Sequence, residues 1–180
     1  MLIAAEDSAL LVVDIQERLL PAVQAPDAVL RNAAILMRAA GRLDVPVVIS
    51  EQYPAGLGHT VDALRILAPS ASTVAKLDFS CCGEPAFTAH IEALKRRHIV
   101  ILGLEAHVCV MQTALDLCRS GVAVFAVADA MSSRDPRNHE LTVERLCAGG
   151  VTVVSTEMVV FEWMRRAGTD LFRDLLESIK

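Results

Sequence analysis

Three residues of this 180-residue chain have the chemistry of a nucleophilic site, provided the fold brings them together: the Cys109 thiol, the Asp14 carboxylate and the Lys76 ammonium. A thiolate attacks carbonyl carbon, a carboxylate takes the thiol's proton, and a cation steadies the charges. Cys109 follows an apolar run and lies near the start of a helical stretch. Free N–H groups and a nearby cation at such a place favour the thiolate. Asp14 and Lys76 each close a short β-branched run. Singly, each residue has an ordinary reading: a small buried hydrophobe, a cap, a strand-end lysine with its stem on apolar surface. The set is informative because its members stand at the ends of three different runs.

Those runs are residues 9–13, 45–49, 72–74, 99–102, 122–128 and 151–155. Most are continuously apolar rather than alternating, the pattern of strands covered on both faces. Helical patterns lie between and after them, at 27–43, 84–97, 108–120, 136–148, 158–166 and 170–179. The first has a 3.6-residue stripe of Val29, Ala33, Leu36, Met37 and Ala40. Pro85 suits a first helical turn, and Gly121 and Gly149-Gly150 suit helix ends. Strand–helix alternation predicts an α/β fold in three αβα layers, with a doubly wound, mostly parallel six-stranded sheet. In such sheets ligands bind beyond the carboxyl ends of the strands. Gln16, Leu19, Tyr53, Phe79 and Met131 fall near those ends and are the expected substrate-binding residues.

Composition narrows the function classes. Hydrophobic residues make up 53% of the chain and charged residues 22%, which excludes a disordered chain. The net charge of −5, with only short basic runs at 95–97 and 165–166, argues against nucleic acid as a partner. No uncharged apolar stretch reaches the ~18 residues of a membrane span. Five cysteines, an odd number, with no leader-like N-terminus, predict reduced thiols and a cytoplasmic protein. No GxGxxG follows the first strand, which argues against a dinucleotide-binding oxidoreductase. No linker or repeat divides the chain, so one domain over 1–180 is expected.

Residues 10–17 (LLVVDIQE), 76–79 (KLDF) and 103–117 (GLEAHVCVMQTALDL) resemble the isochorismatase-like cysteine hydrolases, in the same order along the chain. The loop 50–58 (SEQYPAGLG) is similar to the isochorismatase-domain-containing branch of that superfamily. The resemblance implies a catalytic triad of Asp14, Lys76 and Cys109 and a thioester acyl-enzyme. It also implies a cis peptide at Leu104–Glu105, an oxyanion hole from the backbone N–H groups of Glu105 and Cys109, and a homo-oligomer. Nicotinamidases of the superfamily carry an Asp and closely spaced histidines after the second strand. Here that region offers only His59, so no metal and no cofactor are expected. His107, beside the nucleophile, lies outside the family triad. These residues predict a metal-independent hydrolase of a small amide, imide or related C–N compound. The competing reading is a catalytically silent member of the fold acting in assembly or partner binding. A homo-oligomer is also expected from the mean hydropathy of +0.43 and the apolar segment 159–164, which holds the only Trp.

Overall fold

The computed structural model describes residues 1–179. In chain order the elements are β1 (Ser8–Val13), α1 (Pro26–Arg42), β2 (Val47–Gln52), the single turns α2 (Pro54–Leu57) and α3 (Asp62–Arg65), β3 (Ser72–Lys76), α4 (Pro85–Leu94), β4 (His98–Gly103), α5 (Met111–Arg119), β5 (Ala123–Met131), α6 (Pro136–Ala148), β6 (Thr152–Val154), α7 (Thr156–Met164) and α8 (Asp170–Ile179). The strands form one sheet in the order β3-β2-β1-β4-β5-β6. Every neighbouring pair is parallel, so the sheet is wholly rather than mostly parallel.

The continuous apolar runs are explained by cover on both faces. Along β1, Leu10 and Val12 join the core under α1, α7 and α8, while Ala9, Leu11 and Val13 join the core under α4, α5 and α6. β4 repeats the alternation, with Val100 and Leu102 on the first side and Ile99 and Ile101 on the second. Each such Leu, Ile or Val, fully buried, contributes about 1.5–3 kcal/mol. The whole predicted stripe of α1 is buried. No helix among the described residues is long and apolar enough to cross a membrane.

Two departures from the sequence reading shape the site. β2 does not stop at residue 49 but runs to Gln52, because Ser50, Glu51 and Gln52 continue in register with Val74, Ala75 and Lys76. The predicted helix 108–120 starts later, at Met111, after a π-helical turn, Ala106–Val110. Such turns are frequent at functional sites. α4 ends three residues before the predicted limit, where Lys95 takes a left-handed conformation with φ 52°.

The segment 159–164 behaves differently from expectation. Val159, Val160, Trp163 and Met164 are buried against the chain's own sheet, and Trp163 Nε1 donates to Ser8 Oγ at 3.1 Å. Of the large apolar residues of α7, Met158 and Phe161 stay exposed, while the Trp and its buried neighbours are used within the chain.

The strand order reverses direction between β1 and β4. Crossovers run from β1 through β2 to β3 on one side, then from β4 through β5 to β6 on the other. A crevice therefore opens above the carboxyl ends of β1 and β4. Gly103 allows the two strand ends to lie close. Its φ is +128°, and a Cβ there would sit 2.0 Å from the Val13 carbonyl oxygen. Only glycine fits.

Candidate active site

Asp14 is the first residue past β1. Its φ of 53° turns the chain out of the sheet, a conformation that Asp tolerates better than most residues. Its N–H still donates to Ser50 O at 3.1 Å, and the residue is 0% exposed. Lys76 ends β3, which is separated from β1 by β2. Two strand spacings are about 10 Å, and the lysine's long stem bridges them. Lys76 Nζ donates to Asp14 Oδ2 at 2.7 Å inside the protein, with the lysine itself 3% exposed.

β2, lying between, lines the contact. Ser50 Oγ donates to Asp14 Oδ1 at 2.7 Å, and Lys76 Nζ donates to Gln52 Oε1 at 2.5 Å. The Phe79 carbonyl also accepts from Lys76 at 3.2 Å. Burial lowers the lysine's proton affinity, but the charge of Asp14 and its hydrogen bond outweigh it and the ammonium is held more firmly than usual.

Cys109 sits in the π-helical turn ahead of α5, 5% exposed, with Sγ 3.9 Å from Gln52 Oε1. Its thiol is pushed up to about 12, first by burial and then by the negative charge of Asp14, with Lys76 opposing. The resting group is therefore a thiol, not the thiolate that its place near a helix start suggests. Desolvation and the neighbouring carboxylate exceed what the helix end and the ammonium supply. A thiol of this kind needs a base at the moment of attack, and Asp14 is in range.

The Leu104–Glu105 peptide is cis. Ala106 N–H donates to Ser132 O and Leu104 N–H to Val13 O, whereas Glu105 N–H has no acceptor among the described residues. One of the two expected oxyanion donors is thus free beside the turn that bears Cys109.

The expected substrate-binding residues do not form one group. Tyr53 and Phe79 are exposed, next in the chain to Gln52 and near Lys76. Leu19 is half-buried against the core under α1. Gln16 is fully buried, and its amide holds backbone: Nε2 donates to Gln52 O at 3.0 Å and Gly58 O at 2.6 Å, and Oε1 accepts from Gln52 N–H at 2.7 Å. It fixes the exit of β2 and with it the Gln52 side chain, rather than facing solvent. Met131 lines a separate cavity of about 750 Å³ together with Asn32, Asp129, Ser133 and His139. That cavity includes none of Asp14, Lys76 and Cys109.

Ser50 and Gln52 follow the predicted end of the second strand but are not among the expected site residues; both belong to β2 itself. Their period-two spacing is the signal: both project toward the side on which Asp14 and Lys76 meet. His59 is an exposed histidine 2.9 Å from Glu51 Oε2, and Glu51 Oε1 accepts from Thr60 N–H and Oγ1. Among the described residues no cluster of three or more His, Cys, Asp or Glu stands at metal-binding range.

Residues 8–158 match the family model described as Isochorismatase domain. Isochorismatase domain-containing protein 1 of Danio rerio is 35% identical over 93% of this chain, and the chain spans 59% of that relative's length. Isochorismatase family protein 1B of Dictyostelium discoideum is 31% identical over 99% of this chain and 88% of its own. The solved structure of MAR1 ribonuclease from Caenorhabditis elegans superposes with a TM-score of 0.94 at 30% identity, covering 99% of this chain and 92% of that one.

Proposed function

Because the chain belongs to the isochorismatase domain family, we propose that it is a hydrolase that opens a small amide, imide or related C–N compound through Cys109. The observation that carries this reading is the buried Lys76–Asp14 ion pair, bridged by Gln52 to the buried Cys109 thiol. An acid–base pair kept dry next to a nucleophile has few structural uses, since hydrophobic residues of the same volume stabilise a core as well or better.

The steps follow from the groups. The Cys109 sulfur attacks the substrate carbonyl carbon while its proton passes to Asp14 Oδ. Negative charge develops on the carbonyl oxygen, and the free Glu105 N–H donates to it; one such donor is worth about 2.7–4 kcal/mol in the transition state. The C–N bond breaks and the departing nitrogen takes the proton from Asp14, leaving a thioester. Water then attacks the thioester with Asp14 as base, releasing the acid and restoring the thiol. Lys76 stays protonated throughout. It orients Asp14 and offsets the charge that moves between carboxylate and sulfur. Gln52 Oε1 and the Phe79 carbonyl hold the ammonium when Asp14 is neutral.

The nematode relative's ribonuclease reaction acts on a phosphodiester, and binding such a chain calls for cations along its backbone. Tyr53, Leu77 and Phe79, next in the chain to Gln52 and near Lys76, expose large apolar or aromatic side chains. They suit a small, weakly polar substrate. A screen of small amides and imides, with an RNA substrate included, on wild type and Cys109→Ala tests the reading. A covalent adduct on Cys109 in the intact mass and turnover abolished in Cys109→Ala are expected. Turnover that survives the substitution would remove the cysteine from the mechanism.

A further inference from the structure

Glu105 does two things at one position. Its N–H is the free donor beside the nucleophile turn, and its side chain is a buried carboxylate, the residue being 7% exposed. Arg134 Nε, from the loop after β5, lies 2.5 Å from Glu105 Oε1. The other oxygen, Oε2, has no hydrogen-bond partner. His107 Nδ1 is 3.4 Å from it without forming a hydrogen bond, and sits 2.9 Å from Ser133 Oγ. The Arg134 side chain is otherwise largely in water. The loop bearing it is itself anchored. Ala106 N–H donates to Ser132 O at 2.8 Å, Gln24 N–H to Ser133 O at 3.1 Å, and Ser132 Oγ to Gln24 O at 2.6 Å.

A buried carboxylate held by one full charge depends on it. Removing the cation leaves an uncompensated charge in a dry place. The carboxylate escapes by taking a proton or by turning to water. Either way the residue that carries the donor N–H loses its side-chain tether to the loop after β5. A surface ion pair would have no such consequence, because exposed pairs are worth little. Here only one partner is exposed, and the buried one shares its residue with the oxyanion donor.

We propose that Arg134 is a positioning residue that clamps the Glu105 carboxylate and thereby aims the Glu105 N–H at the oxyanion formed on the substrate. The inference rests on the reading of Cys109 as an acyl-accepting nucleophile. It predicts that Arg134, exposed and remote in sequence from all three candidate catalytic residues, controls one kind of reaction at Cys109 and not another.

Two reagents separate the kinds. p-Nitrophenyl acetate transfers its acetyl group to sulfur through a tetrahedral oxyanion: an S–C bond forms, the aryl ester bond breaks, p-nitrophenolate leaves and the thiol proton goes to Asp14. Iodoacetamide reacts with the same sulfur by displacing iodide from a saturated carbon, with no oxyanion. Arg134→Ala is expected to slow the p-nitrophenolate burst about tenfold or more, since losing a donor altogether costs about 10²–10³, while alkylation of Cys109 stays within about twofold of wild type. Arg134→Lys, which keeps the charge, is expected to recover part of the burst rate. A burst in Arg134→Ala within about threefold of wild type overturns the clamp. So does a parallel fall in both reactions, because that locates the effect in the thiol or the fold. If wild type gives no more burst than Cys109→Ala, the nucleophile reading itself fails and the clamp falls with it. The wild-type control thus tells the two failures apart.

Discussion

Asp14→Asn should make Cys109 easier to alkylate while abolishing turnover. The amide keeps the shape of the carboxylate but removes its charge and its ability to accept the thiol proton. In wild type the thiol is pushed up to about 12, with burial first and Asp14 second among the causes. At pH 8 such a thiol is ionised in about one molecule in 10⁴. Two unit charges about 4 Å apart interact by about 4 kcal/mol at an effective dielectric near 20. Allowing half of that for relaxation lowers the thiol by about 1.5 pKa units, which makes the thiolate about 30-fold more abundant. Each thiolate is then about 5-fold less nucleophilic, because reactivity falls with basicity at a slope near 0.4–0.5. The net expectation is alkylation about 6-fold faster. The ammonium that makes this possible survives the substitution, since Gln52 Oε1 at 2.5 Å and Phe79 O at 3.2 Å still accept from Lys76. The assay is the second-order rate of iodoacetamide labelling by intact mass between pH 6 and 10, with circular dichroism confirming the fold. The wild-type rate should climb to the alkaline end of the range, and the variant's profile should shift to lower pH. A folded variant that labels no faster than wild type, with an unshifted profile, would refute the claim that Asp14 keeps the thiol protonated.

Lys76→Met should act in the opposite sense. Alkylation at pH 8 slows, because the only nearby cation that lowers the thiol's pKa is gone. Urea unfolding should show a loss of about 3–5 kcal/mol, since the buried Asp14 carboxylate loses its charged partner and keeps the Ser50 Oγ hydrogen bond; a loss below about 1 kcal/mol would contradict it. Gly103→Ala places a Cβ 2.0 Å from the Val13 carbonyl at a φ of +128°, so a loss of at least about 2 kcal/mol is expected in the same measurement. Light scattering after size exclusion should give two or more multiples of 19.4 kDa, because Tyr53, Leu77 and Phe79 leave large apolar groups in water on the open side of the site. A monomer mass at micromolar concentration would mean these residues serve the substrate alone.

The α/β fold with its six strands was legible because the relevant signal is local. A short apolar run between helical stripes means a strand covered on both faces, and Leu10–Val13 and residues 99–102 obey this without exception. The positions of Asp14, Lys76 and Cys109 at strand ends followed from the same runs, and the cis bond at Leu104–Glu105 followed from motif resemblance. What failed depends in each case on a partner far along the chain. β2 extends to Gln52 because β3 pairs with it there, and no pattern within 45–52 records where that pairing stops. Trp163 looked like an interface residue by composition, but its place was decided by Ser8, 155 residues away. The thiol's protonation could not be read from its place near a helix start, since it is set by how dry the site is and by a carboxylate 95 positions earlier. The same holds for Arg134 on Glu105. The sequence determined which residues stand at the ends of strands, because alternation and helical period are properties of neighbours. Which of those ends meet, at what distance and with which charge, only the tertiary structure decided, because crossovers set distances across the sheet and burial sets the strength of every charge brought there.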